Sequence, residues 1–282
     1  MSDPRLAVCI TTHIRKPEDV PHRHTAQVMR RLFEYYRDVV IKNYMTYDTG
    51  LDPDDVHIFI MDTGSDLPEF DEWMNNLGEW SDRITRLKIL NHGGAFANIK
   101  HVMHGRQELF DHGHFDYFLF HIDDGVEVVD HGWAKDMIEC YEKMDKPGVM
   151  GRHLDTIDLG PDGLIHHRNR CDHFARMWGI EEVETIPHLH GDYWLMNQKT
   201  VNDLADCWYD EGQSLEDMAY QRKWEDQDFK LLYEIGDGNK TLDDIHIGRE
   251  VDVSLRVTKM LALDLCGYTG TKIKAKQLHH RR

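Results

Sequence analysis

Two adjacent carboxylates, Asp123 and Asp124, close an apolar run that reads Phe118-Leu119-Phe120-His121-Ile122. Acids delivered at the C-terminal end of a strand are how an open α/β sheet builds a ligand site. Paired oxygen donors suit a hard divalent cation, which often shares its coordination sphere with a substrate diphosphate. Without a cation the two charges would repel each other. The junction points to a metal-dependent enzyme acting on a nucleotide-activated substrate. A second acidic run, Trp224-Glu225-Asp226-Gln227-Asp228-Phe229, carries groups able to take a proton. At helical spacing Glu225 and Asp228 share one face and Asp226 points elsewhere. His188 and His190 flank Leu189 on a predicted strand, so both imidazoles face one side.

The elements that must position these groups alternate in type. Residues 6–12 form a short buried-strand candidate, and residues 24–44 read as a helix with Val28, Leu32, Tyr35, Val39 and Val40 on one face. Asp52-Pro53-Asp54-Asp55 is a turn. A second strand over 56–61 ends at Asp62-Thr63-Gly64-Ser65-Asp66, and residues 70–77 suit a short helix. A third strand over 87–90 ends at Asn91-His92-Gly93-Gly94, before a helix over 95–109 and a fourth strand over 117–122. This β-α-β-α-β-α-β order predicts a mostly parallel sheet covered by helices. Further helices are expected over 133–143, 199–208 and 218–233, and further strands at 149–151 and 188–196. Residues 152–186 are irregular and rich in His and Arg, and the end from Gly267 to Arg282 is rich in Gly, Lys and Arg with little core character. One domain over 1–266 is expected, with a nucleotide-binding half to about 130 and an acceptor half over 131–266. A mobile basic tail over 267–282 should follow.

Composition bounds the partners. The 282 residues are 40% hydrophobic, enough for a real core. The net charge of −18, from 33 basic and 51 acidic residues, argues against broad electrostatic binding to nucleic acid or anionic lipid. No apolar stretch approaches the roughly 20 residues of a membrane span, and no signal peptide is evident at Met1-Ser2-Asp3-Pro4-Arg5. Five dispersed cysteines without a Cys-x-x-Cys pair fit free thiols in a reducing compartment. A soluble, cytoplasmic protein without a membrane anchor is expected.

The motif order over residues 6–236 resembles the GT-A class of nucleotide-sugar glycosyltransferases, in particular the large inverting family with D-x-D-type and E-D motifs. The resemblance lies in Thr11-Thr12, Asp62-Thr63-Gly64-Ser65-Asp66, Gly93-Gly94-Ala95-Phe96-Ala97-Asn98, Ile122-Asp123-Asp124 and Glu225-Asp226-Gln227-Asp228-Phe229. It implies an α/β, Rossmann-like fold and a donor site built by the loops after the early strands. Thr11 and Thr12 should then lie near base and ribose, and Asp62 should accept from the base, a task that suits an acceptor-only carboxylate. Gly94 and Asn98 should pack against the donor, where small residues and a helix start allow close approach.

The same resemblance assigns Mn²⁺ or Mg²⁺ to Asp124, with Asp123 as a further ligand or a sugar or ribose contact and His246 as a third ligand. Gly125 stands where a D-x-D counted from Asp123 would put its second acid, and the register His121-Ile122-Asp123 would make His121 the outer ligand. Asp226, or else Glu225, would deprotonate an acceptor hydroxyl during an in-line displacement with inversion. Asp192 would contact sugar or acceptor, and Trp194 or Trp224 could stack on a sugar ring, although large aromatics are more often core. The donor is expected to be a UDP-sugar, and the acceptor a hydroxyl of a glycan, small molecule, protein or modified DNA base. A nucleotidyltransferase acting on a sugar phosphate and a non-catalytic nucleotide-sugar-binding module are the alternatives. The loop after strand one, Thr11-Thr12-His13-Ile14-Arg15-Lys16, lacks the glycines of the former.

Overall fold

The structure is a computed structural model. It describes residues 3–12, 33–62, 65–88, 109, 111–121, 126–152, 189–210, 257–258 and 261–275, and only the backbone of 190–192, 206–210 and 275. Its centre is a seven-stranded sheet of β1 (Leu6–Thr12), β2 (Val56–Asp62), β3 (Ile84–Lys88), β4 (Tyr117–His121), β6 (Val149–Arg152), β7 (His190–Asn197) and β8 (Leu265–Gly267). The spatial order is β3-β2-β1-β4-β7-β6-β8. Strands β3, β2, β1 and β4 run parallel, β7 is antiparallel to both β4 and β6, and β6 is parallel to β8. Two short strands, β5 (Val126–Val128) and β9 (Ile273–Ala275), form a separate antiparallel pair.

Near-continuous apolar strands are what a sheet covered on both faces requires. Leu6, Val8 and Ile10 of β1 enter one buried cluster, while Ala7 and Cys9 enter the other. The first cluster takes Val56, Ile58 and Ile60 of β2, and the second takes Phe59 and Met61. On the first face lies α1, made of the π-helical Tyr36–Ile41 and the α-helical Lys42–Thr46. With it pack α2 (Pro68–Asn75) and α3 (Trp133–Tyr141), through Tyr36, Val40, Ile41, Tyr44, Phe70, Trp133, Met137, Ile138 and Tyr141. On the second face α4 (Gln198–Asp210) buries Val201, Leu204 and Ala205. This mostly parallel sheet flanked by helices is the α/β architecture that the strand–helix order predicts.

Two features depart from the sequence expectations. Strand β3 starts at Ile84, because Ile84 pairs with Ile58 and is buried. The segment expected as a mobile tail contains strand β9 and ends β8. Ile273 is 4% exposed in the first cluster beside Val126 and Val128, so packing overrides the polar composition there. Trp194, 1% exposed, takes the core reading rather than the sugar-stacking one. The β6–β7 register shifts between Gly151 and Arg152. A Cβ on Gly151 would stand 2.6 Å from the Tyr193 carbonyl oxygen, so that close approach requires glycine. Among the described residues no helix is long and apolar enough to cross a membrane.

Candidate active site

The chain turns from β1 to β2 on one side and places β4 on the other, so the gap beyond the C-terminal ends of β1 and β4 is a topological switch point. Open α/β sheets bind ligands there. The register sets Thr12 opposite Asp62, and His121 opposite Ile10. Side chains alternate along a strand, so Thr12, Asp62 and His121 project to the same face as Ile10, Ile60 and Leu119, the face covered by α1, α2 and α3. Six polar side chains are buried among the described residues, and these three strand-terminal residues are half of them. Each of the three is hydrogen-bonded within the protein, as the burial of a polar group requires.

Asp62 is 1% exposed. Its Oδ1 accepts from the Ser65 backbone N–H at 2.7 Å, and its Oδ2 accepts from Arg86 Nε at 2.8 Å and Nη2 at 2.5 Å. Arg86 also donates through Nη1 to Asp71 and lies 4.5 Å over the Phe70 ring. Burial works against the guanidinium charge, and the hydrogen bonds and attraction of Asp71 and Asp62 outweigh it, raising the Arg86 pKa. These three bonds occupy all but one of a carboxylate's roughly four acceptor sites, and the remaining lone-pair position is on Oδ1. At the end of β1, Thr12 Oγ1 donates to the Tyr36 hydroxyl at 2.9 Å. Thr11 is half-buried and, by alternation, faces the other side of the sheet.

His121 is fully buried, with Nε2 at 2.5 Å from the Tyr44 hydroxyl. The Tyr44 ring meets Trp133 edge-on at 4.9 Å. Burial, with Tyr193 nearby, holds the Tyr44 pKa well above that of a free phenol, so the hydroxyl stays neutral. The ring belongs to the core under the site, with Nε2 engaged by the Tyr44 hydroxyl. Beyond residues 122–125, β5 is held by Asn43 Nδ2 donating to the Val128 carbonyl at 2.9 Å and by the Tyr35 hydroxyl donating to Glu127 Oε2 at 2.5 Å.

Of the expected site residues, the structure brings together Thr12 and Asp62, with Thr11 adjacent. Asp192 lies within β7, its side chain undescribed. Gly94, Asn98, Asp123, Asp124, Glu225, Asp226 and His246 lie outside the described residues. Among the described residues no cluster of three or more His, Cys, Asp or Glu side chains could hold a metal ion. Sequence reasoning missed Arg86, Tyr36 and Tyr44. Arg86 was legible in principle: starting the third strand at Ile84 puts it on the face shared by Asp62.

The fold and the strand-end geometry define an α/β protein with a mostly parallel sheet flanked by helices. Two solved structures similar to this chain are of the galactosyltransferase LgtC. One, in complex with donor and acceptor sugar analogues, is 13% identical at a TM-score of 0.36, covering 70% of this chain and 59% of that one. The other, an active-site mutant of LgtC, is 12% identical at a TM-score of 0.44, covering 93% of this chain and 72% of that one. The chain thus spans less than two thirds of the first structure's length. No family profile matches the sequence, and no curated protein matches it.

Proposed function

We propose that this chain is a glycosyltransferase that moves a sugar from a nucleotide-sugar donor, a UDP-sugar first among them, to a hydroxyl acceptor. One observation carries the reading: Thr12, Asp62 and His121 converge, buried and on one face, at the switch point between β1 and β4, and the acids Asp123 and Asp124 follow His121 within three residues. Thr11, Thr12 and Asp62 are assigned to the base and ribose, Gly94 and Asn98 to the donor's close approach, and Asp192 to the sugar or acceptor.

The donor set fits a hard cation: two carboxylates share a four-residue connection bounded by the fully buried His121 and Val126. Asp124 and Asp123, with His246, would hold Mn²⁺ or Mg²⁺. When bound, the ion would supply Lewis-acid neutralisation of the charge developing on the leaving nucleoside diphosphate. Asp226, or else Glu225, takes the proton of the acceptor hydroxyl as its oxygen attacks the anomeric carbon opposite the departing diphosphate, which inverts that carbon. The acceptor comes from the classes named above, a glycan, small molecule, protein or modified DNA base.

The test is a thermal-shift screen of nucleotide sugars with and without Mn²⁺, since a ligand that binds only the folded state must raise Tm. The expected result is stabilisation by one donor in Mn²⁺, followed by release of nucleoside diphosphate on adding acceptors. Failure of every nucleotide sugar to shift Tm overturns the reading. Release of inorganic diphosphate identifies a nucleotidyltransferase instead, and donor binding without hydrolysis or transfer identifies a binding module.

A further inference from the structure

Strand β8 lies along α3, and bonds at both ends of the contact set the register between them. At one end the Tyr268 hydroxyl donates to Asp136 Oδ2 at 2.5 Å. At the other, the Lys146 N–H donates to Asp264 Oδ2 at 3.0 Å, and the Asp264 N–H donates to the Lys146 carbonyl at 2.8 Å. Cys140 lies one helical turn beyond Asp136, so the two share a face of α3. Cys266 lies two residues before Tyr268, so the two share a side of β8. That side faces α3: Cys266 pairs with Met150, and Met150 and Tyr268 belong to the same buried cluster as Met137 and Tyr141. Four residues of helix advance about 6 Å and two residues of strand about 6.6 Å. The two elements therefore keep step from the Asp136–Tyr268 bond and bring Cys140 and Cys266 opposite each other. Two further contacts agree. Cys140 stands close enough to Tyr268 to add, after burial and Asp136, to the rise of the phenol pKa. Met144, one turn beyond Cys140, lines a cleft with Cys266.

We propose that Cys140 and Cys266 are a redox pair, a disulfide site that staples β8 to α3. Both thiols are free and half-buried, whereas Cys9 is fully buried and burial raises its thiol pKa, which keeps it inert. Strand β8 is an edge strand of three residues, so it is the element that takes up the small shift disulfide geometry demands. The oxidant is a low-molecular-weight disulfide, oxidised glutathione. The thiolate of one cysteine attacks it and expels one glutathione thiolate. The thiolate of the other cysteine then attacks the mixed disulfide and expels the second. Two protein thiols lose two electrons and two protons, and two glutathione thiols form. The closed bond ties α3 to the segment that continues through Tyr268 to β9 and its pairing with β5. None of this rests on the glycosyltransferase reading.

The test incubates the folded, full-length protein with oxidised glutathione, digests it without reduction and maps the peptides by mass spectrometry. The expected product is a peptide pair joined through Cys140 and Cys266, absent from Cys140→Ser and Cys266→Ser and lost on adding dithiothreitol. Joining two positions far apart in sequence restricts the unfolded chain. The wild-type Tm should therefore rise by about 5 °C or more on oxidation and return on reduction, with both variants unmoved. Glutathione adducts without a cross-link, no reaction at either thiol, or a bond from either to a different cysteine overturns the pair. A Cys140–Cys266 bond that leaves Tm unchanged overturns the staple. If a serine variant does not fold, the peptide map and the reversible Tm shift of the wild type decide alone.

Discussion

Arg86 places both Nε and Nη2 on the same oxygen of Asp62, at 2.8 and 2.5 Å, and leaves the other oxygen to the Ser65 N–H at 2.7 Å. The carboxylate is therefore oriented before any ligand arrives. Removing one partner of a buried pair leaves the other charge uncompensated, which typically costs about 3–5 kcal/mol. Arg86→Leu is expected to lose that much in urea denaturation. Arg86→Lys recovers only part of it, because an ammonium cannot reproduce the two-nitrogen approach or the stacking on Phe70.

His57 makes stability fall on mild acidification. Its ring is buried, bonds Thr85 Oγ1 at 2.8 Å, and packs 4.6 Å from Phe59 and 4.8 Å from His112. Burial, then the charges of His112, Arg5 and Arg83, lower its pKa from 6.5 to about 4. Between those values the unfolded chain binds a proton that the folded chain refuses, so stability is intact above pH 6.5 and declines as pH falls towards 4. The full effect is about 3 kcal/mol at about 1.4 kcal/mol per unit. Urea midpoints across that range should fall in the wild type and flatten in His57→Gln.

The central strands were legible in the sequence because a strand buried on both faces leaves an uninterrupted apolar run. Leu6–Thr12 carries the boundaries expected for it, Val56–Asp62 runs one residue longer, and Tyr117–His121 starts where expected. The edges were not. Three-residue β5 and β9 are too short for periodicity, and β9 holds a lysine between its two apolar residues. At the candidate site, strand ends alone exposed Thr12 and Asp62. Arg86 reaches Asp62, Tyr36 reaches Thr12 and Tyr44 reaches His121 from other elements, and pairing across 24 or 77 positions has no local signature.

Strand β9 should be a structural requirement. Ile273 is buried against Val126 and Val128, the Lys272 carbonyl accepts from the Val129 N–H at 2.9 Å, and Lys274 stands opposite Glu127. Ile273→Ala is expected to cost about 2–5 kcal/mol, the range for truncating a buried isoleucine. Deleting residues 272–282 should cost more, since it also strips the pairing from β5. Chemical denaturation decides: a truncated chain as stable as the full one would mean that β9 adds nothing to the fold.

The two acidic motifs should separate kinetically. Asp226→Asn keeps the shape of the side chain and removes its basicity, so kcat should fall about 10²–10⁴-fold with donor affinity unchanged. Asp124→Ala should instead abolish the Mn²⁺-dependent part of donor binding, read by calorimetry with UDP as the probe. The anomeric configuration of the product, followed by proton NMR from the first turnovers, should be opposite to that of the donor. Retained configuration would remove Asp226 as a base acting on the acceptor in a single displacement. Full kcat in Asp226→Asn would move that role to Glu225, for which Glu225→Gln is the next variant, because a base must lose its function when it can no longer accept a proton.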